Sequence, residues 1–135
     1  MTDEAPRKKI LVVEDDTLLS GLLTTKLSTN YTIEYAPTGE AALKMLAENK
    51  PDLVILDISL PGIDGFEVLR RMKADPSTAD VHVVILSNVV EEDDMAKGKE
   101  LGAEEYIVKV SLTLDEVVNL VKSVMEKLSK AAPAA

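Results

Sequence analysis

Cysteine and tryptophan are absent from the sequence, and histidine occurs once, as His82. Without cysteine, a disulfide framework, a thiolate metal site and a cysteine nucleophile are all excluded, and one histidine cannot form a histidine cluster. Zinc chemistry is therefore excluded. The aromatic residues number only four, three tyrosines and one phenylalanine, which leaves little to stack on a flavin or a base.

Long apolar runs and an excess of positive charge are also missing. The longest runs, such as 10–13 and 53–56, fall far short of the roughly 20 residues that span a bilayer, and residues 1–9 lack an apolar signal core. We therefore expect a soluble, cytoplasmic protein without membrane insertion. The formal net charge of −9 argues against direct nucleic-acid binding, because affinity for a phosphate backbone comes mainly from clustered lysine and arginine. Glycine-rich nucleotide-binding motifs are absent as well.

Two patterns alternate along the chain, whose 135 residues are the length of one domain. Short β-branched apolar runs predict strands at 10–13, 31–36, 53–56, 81–86 and 106–108. Between them, apolar residues recur with helical spacing, most clearly from Leu114 to Leu128 and in the leucines of the first helix, Leu18, Leu19, Leu22, Leu23 and Leu27. The fourth helix, around residues 95–101, has the weakest pattern.

This alternation predicts an α/β domain, with a doubly wound parallel sheet buried on both faces by helices. We expect one domain over residues 8–128. Residues 1–7 and 129–135, which contain Pro6 and Pro133, are expected to be flexible tails.

Chemically active side chains follow the predicted strands at their carboxyl ends, where open α/β sheets bind ligands. They are Glu14, Asp15 and Asp16 after the first strand, Asp57 after the third, Ser87 at the end of the fourth and Lys109 after the fifth. Two carboxylates about 4 Å apart repel by about 4 kcal/mol at an effective dielectric constant of about 20, so the acids need cations.

Lys109 supplies one positive charge, and a divalent ion would supply the rest. Oxygen ligands without histidine or cysteine select Mg²⁺, Mn²⁺ or Ca²⁺, and a site with few protein ligands suits Mg²⁺. These groups suit phosphoryl transfer: Asp57 can attack phosphorus, Lys109 and the metal can neutralise its oxygens, and Ser87 can donate a hydrogen bond.

Together these residues resemble the receiver domains of response regulators in two-component signalling, from Lys8 to about Leu128. The resemblance is carried by the run Ile10-Leu11-Val12-Val13-Glu14-Asp15, by Asp57 followed by Pro61-Gly62 and Asp64-Gly65, by Ser87, and by Tyr106 with Lys109. No single motif is decisive, whereas their order and spacing together are highly specific.

The resemblance implies a flavodoxin-like receiver fold with strand order 2-1-3-4-5 and a phosphorylation-dependent switch that catalyses only its own phosphorylation and dephosphorylation. It implies that Asp57 is the phosphoacceptor, assisted by Lys109 and Ser87. The implied Mg²⁺ ligands are Glu14, Asp15, Asp57 and the backbone carbonyl of Ser59, with Mn²⁺ as an alternative ion. Ser87 and Tyr106 are the implied switch residues. Implied partners are a histidine kinase or phosphotransfer protein and an unknown downstream protein. The chain itself would be a monomer or a phosphorylation-dependent homodimer.

The sequence departs from the family pattern at two positions. Val110 replaces the proline that usually follows the lysine, commonly after a cis bond. A cis bond without proline costs about 2.5–4 kcal/mol, so either that strain is retained or the loop is trans. Asn88 stands where a small residue is common, and we expect it to narrow access to the phosphoryl site or to slow attack by water.

Several of these residues have structural alternatives. Asp16 is expected to cap the first helix rather than to bind metal, and Ser87 could cap the fourth helix. Tyr106 could be a half-buried strand aromatic, and His82 is expected simply to begin its strand. The acidic run 91–94 is expected to form the exposed first turn of the fourth helix.

Two other functions remain open. A pseudo-receiver would bind partners without phosphorylation, which Val110 and Asn88 favour and the intact acids, Ser87 and Lys109 oppose. A Mg²⁺-dependent phosphohydrolase of the haloacid-dehalogenase type would place its nucleophile in an Asp-x-Asp motif after the first strand, which residues 14–17 only faintly echo.

Overall fold

The computed structural model describes residues 8–130, with side chains described through residue 128. Strands and helices alternate in this part of the chain: β1 Lys9–Val13, α1 Thr17–Leu27, β2 Thr32–Ala36, α2 Gly39–Glu48, β3 Leu53–Leu56, α3 Gly65–Ala74, β4 His82–Ser87, α4 Glu92–Glu100, β5 Glu105–Val108 and α5 Leu114–Lys130. A 3-10 turn, Lys109–Ser111, links β5 to α5. The predicted tail 1–7 lies outside the described residues, as do residues 131–135 of the predicted tail 129–135, whereas residues 129–130 continue α5.

The five strands form one parallel sheet in the order β2-β1-β3-β4-β5. This confirms the predicted doubly wound α/β fold and its strand order. The chain leaves β1 toward β2 on one side and returns to β3 on the other. The carboxyl ends of β1 and β3 therefore border the crevice where such sheets bind ligands.

Helices cover both faces of the sheet, which explains why its central strands are continuous apolar runs. Residues of α1 and α5 pack with one set of strand side chains, including Ile10 and Val84. Residues of α2, α3 and α4 pack with the alternate set, including Leu11 and Ile85. Among the described residues, no helix combines the length and apolar character needed to cross a bilayer.

Side-chain caps fix where most helices begin. Asp16 caps α1 by accepting hydrogen bonds from the backbone N–H groups of Leu18 and Leu19, which confirms its predicted capping role. Thr113 and Glu116 form a capping box at the start of α5. The residue before α4 is Glu91, so the interpretation of Ser87 as the cap of this helix is wrong.

The first helix departs from the single buried stripe that its five leucines predict. Leu23 and Leu27 are fully buried, but Leu18 is 72% exposed and Leu22 is 43% exposed. Because α1 has leucines around much of its circumference, the sheet can cover only part of them, and the rest face solvent near the carboxyl edge of the sheet.

Candidate functional site

The strand register brings the predicted site residues to one edge of the sheet. Val13 pairs with Leu56 across β1 and β3, so the next residues, Glu14 and Asp57, leave the sheet side by side. The pairing of Ser87 with Val108 across β4 and β5 sets Lys109 at the corresponding level.

Three carboxylates converge at this edge. Glu14 and Asp57 are buried, with 2% and 4% of their surface exposed, whereas Asp15 is exposed. One carboxylate oxygen from each residue lies within 4.8 Å of those of the other two. Since hard oxygen ligands at such separations suit a divalent cation, the donor set fits Mg²⁺ or Mn²⁺.

Lys109 joins the two buried acids. Its Nζ lies 2.7 Å from Oε1 of Glu14 and 3.1 Å from Oδ2 of Asp57. Burial alone would lower the pKa of this ammonium group, but the hydrogen bonds and charges of Glu14 and Asp57 raise it overall. Lys109 is therefore positively charged, and its single ammonium group pairs with both carboxylates.

The backbone holds the other oxygen of each buried acid. Oε2 of Glu14 accepts a hydrogen bond from the N–H of Asp16 at 3.0 Å. Oδ1 of Asp57 accepts one from the N–H of Ser59, also at 3.0 Å. Each carboxylate is thus fixed at both ends, by a main-chain amide and by Lys109, which preorganises the site.

The carboxyl group of Glu14 has a raised pKa. Burial raises the pKa of its carboxyl group from 4.5 to about 7, although hydrogen bonds from Lys109 and the Asp16 amide act in the opposite direction. The nearby charge of Asp57 adds to the increase. A bound divalent cation would favour the ionised form, so metal and proton compete for this group.

Ser87 ends β4, Tyr106 lies within the neighbouring strand β5, and both form a hydrogen bond with one loop residue, Val89. Oγ of the fully buried Ser87 accepts a hydrogen bond from the N–H of Val89 at 3.1 Å. The Tyr106 hydroxyl donates to the carbonyl oxygen of Val89 at 2.8 Å. Tyr106 is only 8% exposed, so it is more deeply buried than a half-buried strand aromatic, and burial raises the pKa of its phenol.

The two departures from the family pattern are both at the surface. Every peptide bond within residues 8–130 is trans, so the trans alternative holds for the bond between Lys109 and Val110. Lys109 reaches both acids in this trans loop, while the Val110 side chain is 75% exposed. Asn88 is also exposed, at the start of the loop between β4 and α4.

Sequence reasoning did not identify two contacts of these residues. The acceptor for Tyr106 is a main-chain carbonyl, that of Val89, and backbone groups leave no signal in residue types. His82 begins β4 as predicted, but its Nδ1 lies 3.0 Å from a carboxylate oxygen of Glu104, which is 22 residues away in sequence. That pair lies at the opposite, amino-terminal edge of the sheet, away from the site.

Comparison with known proteins agrees with this geometry. The family model of the response regulator receiver domain matches residues 10–122. The phosphate regulon transcriptional regulatory protein PhoB of Pseudomonas aeruginosa is 34% identical over 121 residues, which cover 89% of this chain and 52% of PhoB. The response regulator PleD of Caulobacter vibrioides is 38% identical over 102 residues, covering 75% of this chain and 22% of PleD. The chain spans about half the length, or less, of such curated relatives.

Solved structures show the same relationship along the whole fold. The phosphorylated cyanobacterial phytochrome response regulator RcpA matches with a TM-score of 0.80 and 30% identity, over 95% of this chain and 97% of that one. The Mn²⁺-bound form of response regulator Rcp1 matches with a TM-score of 0.79 and 29% identity, over 95% and 99%. By its sequence, its sheet order and the residues at its strand ends, the chain belongs to the response regulator receiver domain family.

Proposed function

We propose that this receiver domain is a phosphorylation-dependent signalling switch in which Asp57 accepts a phosphoryl group in a Mg²⁺-dependent reaction. The observation that carries the proposal is the position of the buried Asp57 carboxylate, 3.1 Å from the Lys109 ammonium group and within 4.8 Å of two further carboxylates. The domain acts in the cytoplasm and catalyses only its own phosphorylation and dephosphorylation.

The transfer forms one bond and breaks one. An oxygen of Asp57 attacks phosphorus, the new O–P bond gives an aspartyl phosphate, and the bond from phosphorus to the donor atom breaks with its electron pair remaining on the donor. Lys109 neutralises negative charge on the phosphoryl oxygens, and Ser87 donates a hydrogen bond to one of them. Water later attacks phosphorus, which releases inorganic phosphate and restores the carboxylate.

Glu14, Asp15, Asp57 and the backbone carbonyl of Ser59 would hold the Mg²⁺ ion, and Mn²⁺ can take its place. The separation of the three carboxylates supports this assignment, as does the relationship to Rcp1, a response regulator known in a Mn²⁺-bound form. When bound, the divalent cation supplies positive charge next to the phosphoryl oxygens. Glu14 must then give up its proton and share its carboxylate between the cation and Lys109.

Ser87 and Tyr106 carry the change to the surface formed by α4, β5 and α5. The Ser87 hydroxyl turns toward the phosphoryl group, which breaks its hydrogen bond with the Val89 amide. Since Tyr106 is bonded to the carbonyl of the same residue, a shift of Val89 reaches the tyrosine directly. A charge at one strand end thereby biases the position of a loop and a helix. A downstream protein of unknown identity reads this surface, and the domain is a monomer or dimerises on phosphorylation.

The donor is a histidine kinase or a phosphotransfer protein. Three exposed apolar residues beside the site support docking of such a partner: Leu18 and Leu22 on α1, and Val110 next to Lys109. Leu22 also lines an apolar cavity of about 110 Å³, together with Leu19, Lys109 and Leu112. Exposed apolar patches at the rim of a polar site are typical of protein-binding surfaces.

Intact mass measurement after incubation with acetyl phosphate and Mg²⁺ tests the proposal. We expect one added phosphoryl group in the wild type, none with EDTA, and none in Asp57→Asn. Asp64→Asn is the matched control, because it makes the same change seven residues later at an exposed helix cap that asparagine also serves. Asp64→Asn should be phosphorylated like the wild type.

A folded wild type that stays unmodified with several phosphodonors would overturn the proposal in favour of the pseudo-receiver. Steady release of product from a generic phosphate ester, such as p-nitrophenyl phosphate, would instead favour the phosphohydrolase. An adduct that persists in Asp57→Asn would assign the phosphoacceptor to another residue.

A further inference from the structure

The fourth helix is attached to the sheet through a glycine. All residues of α4 are described, and Gly98 alone among them is buried. A Cβ atom at this position would lie 2.6 Å from Cδ1 of Ile85 and 3.2 Å from Cδ2 of Tyr106. Both separations are shorter than ordinary van der Waals contact, so the missing side chain lets α4 lie directly on these two residues.

Both the ring and the hydroxyl of Tyr106 are consequently held by one segment, which consists of α4 and the loop that leads into it. The ring packs against Gly98, and the hydroxyl donates to the carbonyl of Val89 in this loop. Elsewhere in α4, Nζ of Lys97 lies 4.6 Å from the centroid of the Phe66 ring, which attaches the helix to α3. Glu91 provides no side-chain cap, and Met95, the apolar residue one turn before Gly98, is only partly buried.

We propose that Gly98 is a positioning residue that keeps Tyr106 in its buried position and thereby couples the tyrosine to the position of α4. Because helix and ring lie this close, an inserted side chain would have to lift the helix or displace the ring. The inference deepens the proposed function and rests on it, because Tyr106 and α4 belong to the surface that phosphorylation is proposed to change.

The two neighbours of Gly98 differ in their freedom to move. Ile85 is fully buried in β4, between two other strands, and is enclosed by core residues. Tyr106 lies on β5, at the edge of the sheet, and its hydroxyl donates a hydrogen bond to the carbonyl oxygen of Val89 in a loop. Because the closer contact of a methyl group at residue 98 is with the enclosed Ile85, at 2.6 Å, the methyl group lifts α4 from the sheet, and this uncovers the Tyr106 ring.

Tyrosine accessibility measures this directly, because the protein has no tryptophan. In a background carrying Tyr31→Phe and Tyr35→Phe, Tyr106 is the sole tyrosine, and its emission is quenched with acrylamide without phosphorylation. We expect Gly98→Ala to raise the quenching constant about twofold or more by shifting the population toward the uncovered ring. Gly21→Ala is the matched control, since a Cβ atom on that helical glycine would have no atom within 4 Å, and it should leave quenching unchanged.

A second substitution, which removes a methyl group from residue 85, should reverse the effect of Gly98→Ala. Ile85→Val removes the Cδ1 atom that the new methyl group would meet, so the double variant Ile85→Val with Gly98→Ala should return the quenching constant toward that of the background protein. Unchanged quenching in folded Gly98→Ala would overturn the inference, as would an equal increase in Gly21→Ala or a failure of rescue. If Gly98→Ala does not fold, a folded double variant with buried Tyr106 supports the inference, and one with exposed Tyr106 opposes it.

Phosphoryl uptake is measured in the same samples to separate the two hypotheses. Gly98→Ala leaves Asp57, Lys109 and Ser87 in place, so it should still be phosphorylated. Absence of uptake in the wild type contradicts the proposed function, whatever the tyrosine does. Normal uptake with unchanged tyrosine quenching in Gly98→Ala contradicts the role of Gly98 alone.

Discussion

Glu14 is a buried residue whose charge changes with pH near neutrality. Its side chain is almost completely buried, and burial raises its pKa to about 7, so protonated and ionised forms are both populated near neutral pH. The Lys109 ammonium lies 2.7 Å away and does not fully offset the loss of water. Glutamine has nearly the same shape as glutamate but does not titrate, so Glu14→Gln isolates the effect of the charge.

We expect Glu14→Gln to change the pH dependence of stability in the absence of metal. The folded protein holds the proton with a pKa of about 7, against 4.5 in the unfolded chain. The contribution of this group to stability is therefore complete below about pH 4.5 and is lost as the pH rises through about 7. Relative to the wild type, Glu14→Gln should gain about 1–3 kcal/mol of unfolding free energy between about pH 5 and pH 8.

Urea denaturation in the presence of a chelator, at several pH values in this range, measures the difference. Glu48→Gln removes one exposed carboxylate of α2 and controls for the general effect of charge removal. If the wild-type and Glu14→Gln stabilities follow parallel curves, the raised pKa of Glu14 is contradicted.

Residue types predict some of these roles and not others. The capping role of Asp16 is predictable because it depends on the two or three residues that follow it. The high pKa of Glu14 is not, because it depends on burial against strands that are distant in sequence. The link between Tyr106 and Val89 also escapes prediction, since one of its partners is a backbone carbonyl.

At the scale of elements, Gly65 fixes how closely α3 approaches the site. A Cβ atom on this first residue of α3 would lie 2.3 Å from the carbonyl oxygen of Asp57 and 2.6 Å from Cα of Ile58. The Gly65 N–H also donates to the Ile58 carbonyl at 2.8 Å. Main-chain atoms cannot rotate out of the way as side chains can, so a larger residue must displace the segment that carries Asp57.

We therefore expect Gly65→Ala to lower the free energy of unfolding by about 1–3 kcal/mol, because the added methyl group overpacks the start of α3. Gly21→Ala in α1, where a Cβ meets open space, should instead gain about 0.5–1 kcal/mol from the higher helix propensity of alanine. Equilibrium denaturation measures both. A Gly65→Ala protein as stable as the wild type would show that the backbone after Asp57 yields freely.

Element positions follow from the sequence more readily than their orientations do. Strands buried on both faces appear as continuous apolar runs, and the predicted positions of all five lie near the observed ones. The orientation of α1 is not predictable in the same way, because its leucines form a broader apolar face than the sheet covers, and Leu18 is exposed while Leu23 is buried. The start of α4 has no apolar periodicity, but its acidic run predicts it, and Glu92, Asp93 and Asp94 do form the first turn.

For the whole molecule, the dominant electrostatic property is the formal net charge of −9. Like charges spread over a small domain destabilise the compact state. The Debye length falls from about 30 Å at about 0.01 M salt to about 3 Å at about 1 M, so salt should screen this repulsion. We expect the thermal unfolding midpoint at pH 7 to rise with sodium chloride in that range.

The control is the same titration near the sequence pI of about 4.6, where the net charge and hence the salt effect should largely disappear. A fall in the midpoint at pH 7 would mean that local pairs, such as Lys26 with Asp115, contribute more to stability than the overall repulsion takes away.

The strand order belongs to this scale too, and no local pattern encodes it. Alternating strands and helices are compatible with several sheet orders, and family resemblance alone predicts the order 2-1-3-4-5. The position of each site residue at a strand end is predictable, but the 2.7 Å and 3.1 Å contacts of Lys109 depend on which strands are neighbours.

The bond between Lys109 and Asp57 spans 52 residues, and this separation matters while the protein is being made. On the ribosome, Asp57 emerges before its ammonium partner by roughly 3–10 s at a synthesis rate of about 5–20 residues per second, and Glu14 and Asp15 emerge earlier still. Until then their repulsion, about 4 kcal/mol for a pair about 4 Å apart, opposes closure of the site. A nascent chain that still lacks β5 therefore has no ammonium group to join the Glu14 and Asp57 carboxylates, and this site can close only late in synthesis.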